Sequence, residues 1–238
     1  MLRIGAGAAL VLVLASAAAP AAAAGHALKF LTPADVRPEA LLPPPPADGS
    51  PRALAELAEV RALSAGAGPE RRAQAQWDDA NEDGTIFRSA IAPGFDLKAL
   101  PATARLLAEV REEEAVAGGL AKTYFKRNRP WVLDPKLKTC SREDAPQSSY
   151  PSGHTTMAFS MAVVLAAAMP EASQQLMTRA RDYAESRVIC AAHFRSDTTA
   201  GEALGTAVAT MLLRNEEFRE DLAAAHAELV AAHLTAEP

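Results

Sequence analysis

Alanine supplies much of the apolar content of this chain, and this feature most constrains how the chain can fold. Alanine has the highest intrinsic helix propensity, and the sequence contains few runs of β-branched residues. Apolar residues make up 49% of the 238 residues, which is typical of a globular domain and not of a disordered chain. The sequence therefore predicts one all-α domain with a sizeable core.

The first 24 residues have the pattern of a secretory signal peptide. Arg3 gives a positive start, an apolar run extends from Ile4 to about Ala18, and Ala22-Ala23-Ala24 fits the small-x-small cleavage rule. The alternative is a retained membrane anchor, but the run is shorter than the ~20 apolar residues that a bilayer span needs. We therefore expect cleavage after residue 24, a periplasmic or secreted location and no stable membrane insertion of the mature chain.

Two cysteines, Cys140 and Cys190, lie in the part of the chain that would be exported. An even number of cysteines in an oxidising compartment indicates one disulfide, and the alternative is two buried free thiols. Neither cysteine has a second cysteine or a histidine at the spacing of a zinc site, so we expect no metal there.

Breakers and helical periodicity divide the mature chain into two parts. Residues 25–50 contain four consecutive prolines, 43–46, and are expected to lie extended over the surface. Residues 51–238 are expected to form the helical domain. The first predicted helix begins at residue 51. The others cover 70–79, 100–126, 154–169, 171–189, 197–214 and 216–233, and the helix over 100–126 has a candidate break at Gly118-Gly119. The segments 81–94 and 128–150 are predicted to be loops.

One motif resembles the opening of a calcium-binding loop but lacks the residues that would complete it. Residues 79–84 read Asp-Ala-Asn-Glu-Asp-Gly. A calcium loop needs a bidentate glutamate at position twelve, where this chain has Ala90, and position nine is Phe87, which offers no side-chain oxygen. We therefore interpret residues 79–84 as a polar turn.

Three clusters of polar residues between positions 122 and 197 carry most of the chemical information. The first cluster is Lys122 followed, after six residues, by Arg129-Pro130. The second cluster is Pro151-Ser152-Gly153-His154. The third cluster is Ser186-Arg187, then His193 after five residues and Asp197 after three more.

Three cations in these clusters together suit one dianionic group: Lys122, Arg129 and Arg187. Each alone would more often be a solvated surface charge. Arginine offers a planar fork that matches phosphate oxygens, and lysine offers a compact point charge. Ser152 and Gly153 precede the helix predicted from His154, so the first amides of that helix and the serine hydroxyl can donate to the same oxygens. The clusters therefore predict a phosphate-binding site.

The two histidines in the clusters need different roles. Asp197 follows His193 by four residues, so its carboxylate is expected to accept a hydrogen bond from Nδ1 of His193. Nε2 would then be unprotonated and free to act as a nucleophile. The alternative for Asp197 is that it only caps the helix that it begins.

The three clusters reproduce the signature K-x6-RP, PSGH and SR-x5-H-x3-D with every fixed position filled. The chain therefore resembles the superfamily of type-2 phosphatidic-acid phosphatases and vanadium haloperoxidases, and within it the bacterial class A nonspecific acid phosphatases. The resemblance extends over residues 28–225 and includes the proline run at 43–46. Two positions depart from the family pattern: Phe194, where tryptophan is usual, and Ala191, where glycine is usual.

The resemblance implies a helical bundle and a metal-independent acid phosphatase that needs no cofactor. It implies that His193 attacks phosphorus and becomes phosphohistidine, that Asp197 orients it, and that His154 is the general acid and base. It also implies that one set of groups holds the phosphate: Lys122, Arg129, Ser152, Gly153 and Arg187. The expected substrates are small phosphate monoesters, and the expected assembly is a homodimer.

Other functions remain as alternatives to this interpretation. A vanadate-dependent haloperoxidase would hold vanadate in the same site, a soluble lipid-phosphate phosphatase would act on larger esters, and a phosphate-binding protein would need no paired histidines. The net charge of −5 leaves no basic surface that would require nucleic acid as a partner. The site rim is expected from residues before Lys122 and from 141–150. Glu112, Glu113 and Glu114 are expected to form a solvated acidic face, and the alternative is that one of them faces the pocket.

Overall fold

The computed structural model describes residues 26–92 and 94–237, so the predicted signal peptide, residues 1–24, lies outside the described residues. Every regular element in these two ranges is helical, which confirms the predicted all-α class. No helix within the described ranges has the length and apolar character needed to cross a bilayer.

The helices follow one another with short connections. In chain order they are α1 (Pro38–Leu41), α2 (Pro51–Gly66), α3 (Pro69–Ala80), a 3-10 turn (Gly84–Phe87), α4 (Arg88–Ile91), α5 (Pro101–Phe125), α6 (Pro130–Leu133), α7 (Gly153–Ala168), a 3-10 turn (Pro170–Ala172), α8 (Ser173–Ile189), α9 (Arg195–Leu212) and α10 (Glu216–Ala231). The predicted long helices are all present. The segments predicted to be extended or loop contain α1, α4, α6 and the first 3-10 turn as single short turns.

Two helices differ from their predicted limits for identifiable reasons. α5 continues through Gly118 and Gly119 without a break, because its apolar stripe is buried in the core along its whole length. α9 begins at Arg195 and not at Asp197, since the Asp197 carboxylate accepts the amide N–H of Phe194, the N-cap residue, at 2.8 Å.

The central helix is α7, which is buried nearly all round and packs against α5, α8, α9 and α10. α2 and α3 lie outside this group and pack on α8. The start of α7 carries the PSGH cluster, so the centre of the fold places that cluster among the ends of the surrounding helices.

The contact between α7 and α9 depends on two glycines. A Cβ atom at Gly205 would lie 2.3 Å from the main-chain oxygen of Thr156, and one at Gly201 would lie 2.7 Å from that of Ser152. Only glycine permits this approach of two helix backbones. The approach is continued at the helix starts, where the Ser152 amide donates to the main-chain oxygen of Asp197 at 3.0 Å.

The disulfide predicted between Cys140 and Cys190 is present, with the two sulfur atoms 2.04 Å apart. The amide of Cys140 also donates to the main-chain oxygen of Cys190 at 3.3 Å. The bridge therefore joins the loop between α6 and α7 to the end of α8, three residues before His193.

Glu113 fastens the N-terminal segment onto α5. Its carboxylate accepts hydrogen bonds from the amides of Lys29, Phe30 and Leu31 at 2.6, 2.7 and 3.3 Å. The expected solvated acidic face is therefore wrong for Glu113 and Glu114, which are each 1% exposed. Sequence position on a helix did not reveal which of these carboxylates would find buried donors.

Candidate active site

His193 lies on the short link between α8 and α9, and its ring is 1% exposed. Nδ1 is 2.8 Å from the main-chain oxygen of Ser149, and Nε2 is 3.3 Å from Nη1 of Arg129. A carbonyl oxygen can only accept a hydrogen bond and a guanidinium can only donate one. The neutral ring therefore carries its proton on Nδ1 and presents an unprotonated Nε2, the tautomer that the sequence predicts.

Asp197 does not accept the predicted hydrogen bond from His193. Its Oδ2 is 3.5 Å from Nδ1, and the main-chain oxygen of Ser149 is the acceptor instead. The carboxylate accepts from the hydroxyl of Ser149 at 2.6 Å and from Nη1 of Arg127 at 2.6 Å. Asp197 therefore supports His193 through Ser149, the residue whose carbonyl holds the ring.

Arg127 is a part of this site that the sequence analysis missed. The guanidinium is buried, donates to Asp197 and to Glu56 and lies over the Phe194 ring, 4.3 Å from its centroid. Burial raises the pKa of Asp197 to about 6, and Arg127 acts in the opposite direction. The aromatic ring at position 194 thus packs against the cation that supports the carboxylate.

The link that carries His193 contains a strained residue. Ala191 has a φ of +50°, in the left-handed region where glycine is the usual residue. An alanine in this conformation costs roughly 1 kcal/mol or more. Hydrogen bonds hold the chain in this conformation: the amide of Ala191 donates to the Val188 carbonyl at 2.9 Å, and the amide of Ala192 donates to the Arg187 carbonyl at 3.1 Å.

Arg129 is buried beside His193 and is held on three sides. Nη1 donates to the main-chain oxygen of Ala192 at 3.1 Å, and Nη2 donates to Oγ of Ser148 at 3.1 Å. Nη2 also lies 3.1 Å from a carboxylate oxygen of Asp144, which is half exposed. The predicted rim segment, 141–150, therefore does reach the site, through Ser148 and Asp144.

Arg187 comes from the last turn of α8 and is 1% exposed. Nη1 donates to Oδ1 of Asp79 at 2.5 Å, while the buried Nε has no hydrogen-bond partner among residues 26–92 and 94–237. Asp79 was interpreted as part of a polar turn, but the structure places it in the last turn of α3, which brings it to the site.

Lys122 and the start of α7 lie together. A Cβ atom at Gly153 would be 3.2 Å from Nζ of Lys122, so glycine leaves the ammonium room at the first amides of the helix. Ser152 is the N-cap residue, and its Oγ accepts from the Thr155 hydroxyl at 3.0 Å. That contact leaves the hydroxyl hydrogen of Ser152 as a donor. Burial, with Arg129 nearby, lowers the pKa of Lys122.

His154 lies in the first turn of α7 and is held by the last turn of α3 and by the residues that follow it. Nε2 donates to the main-chain oxygen of Asp79 at 3.2 Å, and Nδ1 is 3.2 Å from Oε1 of Glu82. The ring stacks on Tyr183 with centroids 5.9 Å apart and planes at 20°. Glu82 is therefore a second residue of the polar turn that lies at the site.

The two histidines lie near the same cations, Arg187 and Lys122, which act on both rings. Burial lowers the pKa of His193 well below its ordinary value, and Arg129, Arg187, Lys122 and His154 lower it further. Burial and Arg187 likewise lower the pKa of His154. The structure thus brings together the eight predicted site residues: Lys122, Arg129, Ser152, Gly153, His154, Arg187, His193 and Asp197.

The residues that the sequence analysis missed gave no distinctive signal. Ser149 acts through its main-chain carbonyl, which every residue type possesses. Arg127 stands among other charged residues next to Lys126. Asp79 and Glu82 occupy a motif that first suggested a cation site. Across residues 26–92 and 94–237, no three His, Cys, Asp or Glu side chains are arranged to hold a metal ion.

Comparison with protein families and known proteins gives consistent results. The sequence profile of the PAP2 superfamily matches residues 108–220. An acid phosphatase of Zymomonas mobilis is 32% identical over 202 residues, which cover 82% of this chain and 76% of that protein. A non-specific acid phosphatase of Salmonella typhi is 33% identical over 201 residues, covering 79% of this chain and 78% of that protein.

A further relative and one solved structure agree with these matches. A non-specific acid phosphatase of Providencia stuartii is 32% identical over 191 residues and covers 77% of both chains. The crystal structure of Aquifex aeolicus LpxE superimposes with a TM-score of 0.54 at 21% identity, covering 66% of this chain and 94% of that one. The second similarity concerns the fold alone.

Proposed function

We propose a mechanism for this chain from one premise: the chain belongs to the PAP2 superfamily and is an acid phosphatase within it. The proposal is that it hydrolyses small phosphate monoesters in two steps, through a phosphohistidine at His193. The observation that carries the proposal is the fixed tautomer of His193, whose unprotonated Nε2 lies 3.3 Å from the Arg129 guanidinium in a group of cations.

In the first step, Nε2 of His193 attacks phosphorus, and the bond between phosphorus and the ester oxygen breaks. The electron pair of that bond goes to the leaving oxygen, which takes a proton from His154. The Ser149 carbonyl supports this assignment because it stabilises the positive charge that the His193 ring gains when Nε2 bonds to phosphorus.

In the second step, water attacks the phosphohistidine and releases inorganic phosphate. His154, now without its extra proton, removes a proton from the water as a general base. The bond between phosphorus and Nε2 breaks, and its electron pair returns to the His193 ring. The chain thus ends in the protonation state in which it began.

The charge of the phosphoryl group is stabilised by the cations and amides around it. Arg187 has a buried Nε donor without a partner in the described part of the chain, and Nη1 of Arg129 lies 3.3 Å from the attacking nitrogen. Lys122 lies beside the first amides of α7 at Gly153, which have no helical acceptors. In such a site these groups stabilise the transition state by fixed charge, so we propose that no metal ion is required.

The proposed roles of the two histidines are separated by their dependence on the leaving group. Hydrolysis of ethyl phosphate needs a proton donor, whereas p-nitrophenolate leaves without one. We expect His154→Ala to lower kcat/KM for ethyl phosphate by about 100-fold or more and to change p-nitrophenyl phosphate far less. His193→Ala should abolish the acid-labile, base-stable phosphoenzyme. Equal losses on both substrates for His154→Ala would refute the assignment.

Metal independence is tested separately with the intact protein. We expect turnover of p-nitrophenyl phosphate to continue after dialysis against EDTA and to be unchanged when divalent cations are added back. Loss of turnover that a metal restores would contradict the proposal.

We also infer that residues 1–24 direct export and are removed, that residues 25–50 and 51–238 form the proline-rich segment and the catalytic domain, and that the mature protein is a periplasmic or secreted homodimer. The disulfide between Cys140 and Cys190 supports export, since such bonds persist in oxidising compartments. N-terminal sequencing of the protein from the periplasmic fraction and its mass by light scattering test these inferences.

A further inference from the structure

Glu82 lies next to His154, although it is not part of the signature that the two proposed catalytic histidines belong to. Its Oε1 is 3.2 Å from Nδ1 of His154, and its Oε2 is 3.1 Å from Nη2 of Arg111. A Cβ atom at Gly153 would lie 4.0 Å from Oε1. The carboxylate therefore reaches the start of α7, where the phosphoryl group is proposed to bind.

The contacts of His154 place a proton between its ring and Glu82. Nε2 points at the main-chain oxygen of Asp79, which can only accept, so Nε2 carries a hydrogen. Nδ1 is then the nitrogen that gains and loses a proton. An unprotonated Nδ1 would direct its lone pair at a carboxylate oxygen 3.2 Å away, which is repulsive unless a proton lies between them.

The same short segment also fixes the direction in which Nδ1 points. The His154 ring stacks on Tyr183, and the Tyr183 hydroxyl donates to the main-chain oxygen of Asn81 at 2.6 Å. Asp79, Asn81 and Glu82 thus hold the ring, its stacking partner and its proton. The turn that first resembled a calcium loop has a role at the imidazole instead.

The charged surroundings explain why a carboxylate is needed at this place. The titratable and charged groups facing His154 and Glu82 come from α3 and the turn after it, from α5, from α8 and from the link after α8: Asp79, Arg111, Glu114, Lys122, Tyr183, Arg187 and His193. Arg187, Lys122 and Arg111 all oppose a positive charge on His154.

The other carboxylates near the ring are less able to offset this effect. The side chain of Asp79 is taken up by Arg187. Burial raises the pKa of Glu114 to about 8, Arg111 acting against that rise, so Glu114 is uncharged at acid pH. Glu82 supplies a negative charge in direct contact with the ring.

We propose that Glu82 is a positioning residue that keeps the transferable proton on Nδ1 of His154 until the leaving oxygen takes it. The inference rests on the proposed function, because it assigns a support to the proposed general acid. As the bond to phosphorus breaks, the ester oxygen replaces Oε1 of Glu82 as the acceptor and takes the proton from Nδ1; Nδ1 later takes a proton from the attacking water. Glu82 forms no bond to the substrate.

The test is Glu82→Gln, with kcat/KM measured from pH 4 to 8 on ethyl phosphate and on p-nitrophenyl phosphate. The glutamine amide can donate to an unprotonated Nδ1, so the variant favours the ring without its extra proton. We expect about a 10-fold fall for ethyl phosphate near pH 6 and a change within about twofold for p-nitrophenyl phosphate. The alkaline limb for ethyl phosphate should also move to lower pH.

The matched control is Glu39→Gln, which removes the same charge at an exposed position in α1 and should change neither substrate. Equal losses on both substrates would overturn the inference, because they indicate general damage. A gain in activity near pH 7 would also overturn it, since Glu82 would then be an anion that competes with the substrate. If His154→Ala lowers both substrates equally, the proposed function fails. If His154→Ala lowers mainly ethyl phosphate but Glu82→Gln does not, only this inference fails.

Discussion

The close approach of α7 and α9 leads to a prediction in which the same substitution has opposite effects at two sites. In Gly205→Ala, the new methyl group would meet the main-chain oxygen of Thr156 at 2.3 Å, where ordinary contacts begin at 3.4 Å. The two helices would have to separate by about 1 Å, because main-chain atoms cannot move aside as a flexible side chain does.

The magnitude follows from two opposing contributions. Overpacking a well-packed interface costs about 1–3 kcal/mol, and a clash with a helix backbone belongs at the upper end of that range. Alanine regains about 0.5–1 kcal/mol over glycine inside a helix. We therefore expect Gly205→Ala to lower the free energy of unfolding by about 2 kcal/mol. In Gly119→Ala nothing lies within 4 Å of the new methyl group, so that variant should be stabilised by about 0.5–1 kcal/mol.

The assay is urea unfolding followed by circular dichroism, with the slope of the transition compared between variants. A companion variant, Gly201→Ala, connects packing to the site, since its methyl group would lie 2.7 Å from the main-chain oxygen of Ser152. It should lower kcat/KM for p-nitrophenyl phosphate as well as stability. If Gly205→Ala is as stable as Gly119→Ala, the argument that backbone contact sets the α7–α9 distance is refuted.

Three further predictions concern pH, the disulfide and the support of Asp197. The lowered pKa of His154 means that the protonated ring is populated only at acid pH. We therefore expect kcat/KM for ethyl phosphate to fall as pH rises through values below about 6.5, and a plateau extending above pH 8 would contradict this. Replacing Cys140 and Cys190 by alanine should lower the free energy of unfolding by about 4 kcal/mol, as expected for a separation of 50 residues, and reductant should no longer affect the double variant. Arg127→Met leaves the buried Asp197 carboxylate unpaired, so thermal unfolding should show a loss of about 3–5 kcal/mol, and a loss below about 1 kcal/mol would argue against the pair.

Sequence reasoning predicted the helices well because their signals are local. Alanine content, proline at helix starts and glycine at helix ends act within a few residues, and they placed the seven long helices of the described ranges. The candidate break at Gly118-Gly119 is wrong because the rest of α5 is held by buried side chains from distant parts of the chain. A local penalty could not show how much tertiary packing would offset it.

The grouping of the eight signature residues could be predicted because it depends on residue types at fixed spacing. The geometry around it could not, since several contacts involve main-chain atoms or residues far apart in the sequence. The carbonyl of Ser149 accepts from His193, and Glu82 reaches His154 from a turn 72 positions earlier. Glu113 shows the same limit, because its acceptor role depends on amides more than 80 residues away.

The cations around His193 have a consequence for the conditions under which the protein can work. An ordinary imidazole becomes fully protonated in an acidic medium and can no longer donate its electron pair to phosphorus. In this site burial and the guanidinium of Arg129 lower the pKa of His193. Nε2 therefore remains unprotonated at a pH at which a solvent-exposed histidine would be protonated. Arg129, which is proposed to bind the anion, would thus also extend the working range of the proposed nucleophile into acid. Acid tolerance and phosphate affinity would then be lost together if Arg129 were replaced by a neutral side chain.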